Sequence, residues 1–160
     1  MRAVRLEERE AEAGALAAIG LDGFAPYLMN RLMGRYNAGL RAEMARLGWT
    51  TPKMRALAVL SVIDGPLIRE LAGYTVTEQS TLSRALDALA AEGLIRREAH
   101  EEDSRAVRVY LTAAGRTTFE RFWPSMAQAA EDLFHGIPPR ERAAFTATLQ
   151  KMLANLHDKP

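Results

Sequence analysis

Apolar side chains along this chain recur at two spacings, one typical of helices and one typical of strands. Between residues 24 and 47 they follow one another at steps of three and four, which predicts a helix that Gly48 ends. The same period returns over residues 113–134 and in a last helix after residue 139, whereas residues 106–112 alternate apolar and polar side chains. The pattern therefore predicts long helices toward both ends and a strand between them.

The central part of the chain is divided into shorter elements by residues that start or stop helices. Thr51 and Pro52 predict a helix start, with Thr51 as the cap and Pro52 in the first turn. Residues 68–72 are expected to form a short helix, and a turn over residues 73–76 leads into the next one.

That next helix carries short polar side chains at its start. We expect Thr77 to cap it, or Thr75 and Glu78 to form a capping box. Gly93 supplies a left-handed exit, and Leu94 makes the apolar contact after it.

Two strands joined by an acidic turn are predicted over residues 95–100 and 106–112. Three apolar side chains of the second strand are expected to face inward (Val107, Val109, Leu111), and the two between them to face outward (Arg108, Tyr110). The order helix, helix, short helix, helix, hairpin, helix, helix predicts a mainly α fold with a small β wing, a winged helix-turn-helix of the α+β class.

Composition narrows the class of protein. The 160 residues are 48% hydrophobic and 26% charged, which suits one folded domain. The absence of cysteine excludes disulfides, a thiol switch and cysteine-ligated zinc. Acidic residues at positions 7, 8, 10 and 12 interrupt any signal peptide, and no apolar run approaches the ~18 residues of a membrane span. We therefore expect a cytoplasmic protein with no membrane partner.

Motifs of enzymes and metal sites are missing from the sequence. There is no glycine-rich phosphate loop and no Gly-x-Ser-x-Gly. His100, His135 and His157 lie too far apart to form a ligand pair at helical spacing. We expect no enzyme activity, no cofactor and no metal.

The polar helix and the hairpin together favour DNA binding. Short or forked polar side chains near a helix start can read base edges in a major groove, and the helix start offers free N–H groups to a phosphate. Arg105, at the hairpin tip, is placed to enter a minor groove, and Asp103 is placed to fix the loop. The candidate DNA-binding residues are Lys53, Thr77, Gln79, Ser80, Thr81, Ser83, Arg84, Arg97, Asp103 and Arg105.

The net charge does not by itself indicate a protein that binds nucleic acid. Net charge is +1, and residues 77–112 hold five arginines against seven acids. DNA binding therefore requires the fold to sort the arginines onto one face.

The hairpin and its exit match a known family. An Asp-x-Arg followed by Val-x-Leu-Thr-x-x-Gly stands here as Asp103, Arg105, Val109, Leu111, Thr112 and Gly115. With the polar helix before it, the stretch from residue 67 to residue 115 resembles the multiple antibiotic resistance regulator (MarR) family of winged-helix repressors. The resemblance covers about residues 24–156 and implies a dimeric repressor of a pseudo-palindromic operator.

The outer helices carry more apolar surface than the central unit can cover, so we expect a two-fold dimer. The candidate dimerisation residues are Leu28, Leu32, Leu149, Met152, Leu153 and Leu156. The expected division is an N-terminal arm over residues 1–22, dimerisation helices over 23–48 and 113–160, and the winged helix-turn-helix over 49–112.

A small-molecule effector is a further expected partner. Members of the family often release DNA when a small aromatic or anionic ligand enters a crevice between the dimerisation helices and the reading head, which is the winged helix-turn-helix of residues 49–112. By position, Tyr27, Tyr36 and Trp49 are candidates, although aromatics at helical spacing more often belong to the core. One alternative stays open: a winged-helix module that binds protein without reading DNA, which the acidic hairpin favours.

Overall fold

The computed structural model describes residues 16–100 and 106–157, and these ranges form a mainly helical fold with one antiparallel strand pair. A short 3-10 turn, Leu21–Gly23, precedes the first long helix. The elements that follow are α1 Ala25–Arg46, α2 Thr51–Leu60, α3 Ile68–Thr75, α4 Gln79–Ala91, β1 Ile95–Ala99, β2 Val107–Leu111, α5 Ala113–Leu133 and α6 Pro139–His157. This order confirms the predicted winged helix-turn-helix between outer helices.

The main core lies inside the reading head, where α2, α3, α4 and the strand pair meet. Its side chains are almost fully removed from solvent: Leu57, Leu71, Leu82, Leu86, Leu89 and Val109. Burying each such side chain stabilises the fold by about 1.5–3 kcal/mol. A smaller cluster of Leu40, Met44 and Met54 joins α1 to this head, with Trp49 packed against both clusters.

Three helix ends differ from the sequence prediction. Thr50, and not Thr51, is the residue before α2, and it makes no side-chain cap. Helix α3 runs on to Thr75, whose buried hydroxyl donates to the Leu71 carbonyl at 2.8 Å, so Thr75 is not a cap of α4. The cap of α4 is Glu78, whose carboxylate accepts from the Thr81 N–H at 3.0 Å.

The strand pair has the register Ile95 with Leu111 and Ala99 with Val107. Val109 enters the core as predicted, and Arg108 and Tyr110 lie on the opposite face of the strand, where they are half-buried because the turn before α3 packs against them. Arg108 Nη1 donates to the Gly65 carbonyl at 2.6 Å. A Cβ on Gly65 would lie 2.6 Å from Tyr110 Cε1, so the ring rests directly on the glycine.

The Thr112-x-x-Gly115 motif joins three elements. Thr112 caps α5 by accepting from the Gly115 N–H at 3.0 Å, and its hydroxyl donates to the Gly93 carbonyl at 2.8 Å. A Cβ on Gly115 would lie 2.0 Å from the Leu94 carbonyl oxygen. The motif therefore locks the exit of α4 to the start of α5, which is a structural reason for its residues.

The outer helices leave apolar surface uncovered in the single chain. In α6, every residue from Pro139 to Leu156 is exposed except Arg142 and Leu149, which are half-buried. The large apolar side chains at least a third exposed on α1 and α6 are Leu28, Leu32, Met33, Phe145, Met152, Leu153 and Leu156. None of the helices in the described ranges is long and apolar enough to span a membrane.

Candidate nucleic-acid interface

Helix α4 presents one polar face and buries the other. Leu82, Ala85, Leu86 and Leu89 enter the core at helical spacing. The opposite face consists of exposed or half-buried polar side chains at positions that repeat every three or four residues: Gln79, Ser80, Ser83, Arg84 and Asp87. Four of these were predicted DNA contacts, and the helix places them on one continuous strip.

The start of α4 is occupied by an acid of the chain itself. Hydrogen bonds from the Ser80 hydroxyl, and then from the Ser80 and Thr81 backbone N–H groups, lower the pKa of Glu78 to about 2. The Ser80 hydroxyl and Thr81 N–H both point at this carboxylate. Two of the N–H groups that were expected to be free for a phosphate, those of Ser80 and Thr81, therefore already meet a carboxylate of the chain.

The other acids of residues 77–100 are paired with cations. Asp87 accepts from Arg97 at 2.8 Å, which ties strand β1 to the polar strip of α4. Glu98 pairs with Arg96, whose guanidinium also lies 4.1 Å from the centre of the Tyr110 ring.

Lys53, a predicted DNA contact, also forms an ion pair with an acid of the head. It pairs with Glu92 at the far end of α4, and its ammonium lies 5.6 Å from the centre of the Trp49 ring. Lys53 and Arg97 thus each neutralise an acid of the head.

In the described part of residues 49–112, two exposed arginines form no ion pair: Arg69 and Arg84. Arg69 lines a cavity of about 360 Å³ together with Gln79, Ser83 and Val107. The cavity lies where α3, α4 and the wing converge. Arg69 was missed in the sequence analysis, although its place in the first turn of α3, the helix before α4, could have indicated it.

The tip of the wing falls in residues 101–105, which lie outside the described residues. The predicted roles of Asp103 and Arg105 therefore stay predictions. Thr77, another predicted contact, is half-buried, and its hydroxyl donates to the Thr75 carbonyl at 3.1 Å.

A second cavity, of about 690 Å³, lies between α1, α2 and the end of α3. Of the three aromatic candidates for a ligand site, Tyr36 lines this crevice, together with Asn37, Arg55 and Tyr74. Trp49 instead packs edge-on against Phe122, with ring centres 4.6 Å apart.

Tyr27 lies outside the lining of the crevice. Its ring is under the guanidinium of Arg31, 5.7 Å from it. Within the described part of the chain, no cluster of three or more histidine, aspartate or glutamate side chains is placed to hold a metal ion.

Comparison with known proteins gives a consistent result. The MarR family model matches residues 49–107. A crystal structure of a MarR-family transcriptional regulator from Silicibacter pomeroyi is 59% identical, with a TM-score of 0.83, and the match covers 90% of this chain and 97% of that one.

Two further relatives extend the comparison. The transcriptional repressor IacR of Pseudomonas putida is 22% identical over 84% of this chain and 81% of its own length. BpsR of Bordetella bronchiseptica, whose DNA binding is regulated by 6-hydroxynicotinic acid, is 26% identical with a TM-score of 0.68, covering 79% of this chain and 96% of that one.

Proposed function

The chain belongs to the MarR family of transcriptional regulators, and from that membership we propose that it binds a pseudo-palindromic operator as a homodimer and represses transcription. Similar proteins that are transcriptional repressors support repression over activation. In this proposal α4 enters the major groove, and its polar strip reads base edges.

The observation that carries the proposal is the charge balance of the reading face. By sequence, acids outnumber arginines in residues 77–112. In the described part of that segment, each acid is engaged by the α4 start or by a cation, while Arg84 and neighbouring Arg69 stay exposed. The face next to DNA therefore carries available positive charge despite the acidic count.

Dimerisation is proposed from the uncovered apolar faces of α1 and α6. A single chain rarely exposes this many large apolar side chains on two helices without a partner. The proposed interface includes the predicted residues Leu28, Leu32, Leu149, Met152, Leu153 and Leu156. In such a two-fold dimer we expect the two α4 helices to lie about one or two turns of DNA apart, with one turn being roughly 34–36 Å.

Selection from random duplex DNA tests the proposal. We expect a two-fold motif, and we expect Arg84→Ala or Gln79→Ala to relax base preference at particular positions by about 1–3 kcal/mol. Arg69→Ala is expected to weaken all sequences alike, since a phosphate contact contributes about −0.9 to the slope of log K against log salt. Arg140→Ala, at an exposed position of α6, serves as the charge-matched control.

The same selection can reject the proposal. If no two-fold motif emerges, the protein-interaction module becomes the better account of this winged helix. Arg105→Ala addresses the wing separately: it is expected to lower affinity and to reduce the salt slope by about the contribution of one phosphate. An unchanged affinity and slope would remove Arg105 from the interface.

We also propose that a small aromatic or anionic ligand releases the DNA from the crevice beside Tyr36. The crevice offers an aromatic ring, apolar walls and the guanidinium of Arg55 to such a molecule. Regulation of BpsR by 6-hydroxynicotinic acid makes hydroxylated aromatic acids the first class to titrate against the operator complex. A Tyr36→Ala variant that responds to the same ligand at the same concentration would place the ligand elsewhere.

A further inference from the structure

Arg55 of α2 connects α1 to the turn that precedes α4, the proposed recognition helix. Its Nη2 donates to the Asn37 side-chain oxygen of α1 at 2.7 Å. Its Nη1 donates to the backbone carbonyl of Thr75, the last residue of α3, at 3.3 Å. One half-buried guanidinium therefore holds three helices together.

The Thr75 carbonyl is a sensitive point in the chain. Only residues 76–78 separate α3 from α4, and the Thr77 hydroxyl donates to the same carbonyl oxygen. Val76 follows it with a φ of 49°, in the left-handed region that β-branched residues avoid. Such a turn persists only when surrounding contacts hold it, and the Arg55 hydrogen bond is one of them.

Arg55 also separates two cavities. With Asn37 and Val76 it lines the crevice of about 690 Å³. The same three residues line a second cavity of about 380 Å³, which extends to Thr77, Glu78 and Thr81 at the start of α4. A change in the crevice that moves this guanidinium thus acts directly on the turn before the recognition helix.

We propose that Arg55 is a positioning residue, which fixes α4 relative to α1 through the Asn37–Arg55–Thr75 bridge and thereby sets the spacing between the two recognition helices of the dimer. The proposal rests on the proposed DNA-binding function. A planar guanidinium can serve two acceptors in different directions at once, whereas a flexible ammonium cannot hold the same fixed fork. The bridge needs no contact between Arg55 and DNA.

The test uses full-length protein and the operator that the wild type selects. Affinity is measured for that operator and for versions with one base pair added or removed between the half-sites. We expect the wild type to discriminate strongly against both altered spacings, because one base pair both shifts and rotates the second half-site. Arg55→Met and Asn37→Leu should reduce this discrimination, with the affinity ratio falling toward one.

Two variants separate positioning from charge and from general stability. Asn37→Asp keeps an acceptor for Arg55 and should retain the wild-type spacing ratio. Arg41→Met removes the same charge from the same 380 Å³ cavity, without touching the bridge, and should also retain it. If Arg55→Met lowers thermal stability but keeps the wild-type ratio, its role is only structural and the proposal is overturned.

A measurement without DNA distinguishes this inference from the proposed function. Hydrogen exchange at the amides of residues 76–81 should accelerate in Arg55→Met and Asn37→Leu, but not in Arg41→Met or Asn37→Asp. If the wild type selects no two-fold motif, the proposed function fails, and exchange alone decides whether Arg55 holds the turn. If Arg55→Met does not fold, the pair Asn37→Leu and Asn37→Asp decides both readouts.

Discussion

The reading head buries its apolar side chains within the chain, whereas α6 leaves its apolar side chains exposed. In the head, apolar residues fill a closed core, and the acids of residues 77–100 are each engaged within the same chain. In α6, from Pro139 to Leu156, only Arg142 and Leu149 are even half-buried, although the helix carries several large apolar side chains.

The difference indicates where each region finds its stability. The head is stabilised by a core that its own side chains largely form and that Phe119 of α5 completes. Helix α6 and the exposed face of α1 gain little from their own chain, because they leave in solvent the apolar area whose burial would stabilise them. We infer that a second copy supplies that burial, and that DNA binding by two heads depends on it.

The largest expected effect comes from placing a charge on the apolar face of α6. Leu156→Glu should convert a dimer into monomers, because burying an unpaired carboxylate in the interface is unfavourable. Affinity for a two-half-site operator should fall by roughly 10²–10⁴-fold, since the linked second contact is lost. Sedimentation equilibrium reports the oligomeric state, and DNA titration reports the affinity.

Gln150→Glu provides the matched control for that experiment, because it adds the same charge at another exposed position of the same helix. It should leave the dimer intact. A Leu156→Glu protein that still sediments as a dimer would show that this part of α6 lies outside the interface.

The next effect concerns the head. Gly115→Ala should destabilise folding by at least about 1–3 kcal/mol, because the new Cβ would meet the Leu94 carbonyl oxygen and force the backbone apart. Gly34→Ala in α1 meets nothing within 4 Å and should instead stabilise by about 0.5–1 kcal/mol, as alanine does in a helix. Chemical denaturation measures both, and equal effects from the two substitutions would contradict the packing at Gly115.

The smallest effect is a pH dependence at the start of α4. The folded pKa of Glu78 lies near 2, below its ordinary 4.5, so its contribution to stability is present above pH 4.5 and is lost as the pH falls toward 2. The difference in melting temperature between wild type and Glu78→Gln should therefore close across that window. In Ser80→Ala, NMR titration should show a higher pKa for Glu78, because the Ser80 hydroxyl is the main cause of its lowering; an unchanged pKa would exclude that cause.

Local patterns were sufficient to predict the order of elements and the polar strip of α4. Helical and strand periods, and the signals at Pro52 and Gly93, act within a few residues, so they are readable along the chain. The cap at Glu78 was missed because threonine is the commoner cap, and Thr75 and Thr77 both stood nearby. The pair Lys53–Glu92 joins residues 39 positions apart, and no local spacing indicates it.

The sequence by itself determined the winged helix-turn-helix and the apolar outer helices, because each follows from local period and turn chemistry. Only the tertiary structure decided which charges remain available to DNA, why Tyr110 and Arg108 close over Gly65, and how Arg55 joins α1 to the turn before α4. Those outcomes depend on side chains brought together from distant parts of the chain, where folding, and not sequence spacing, sets the distance.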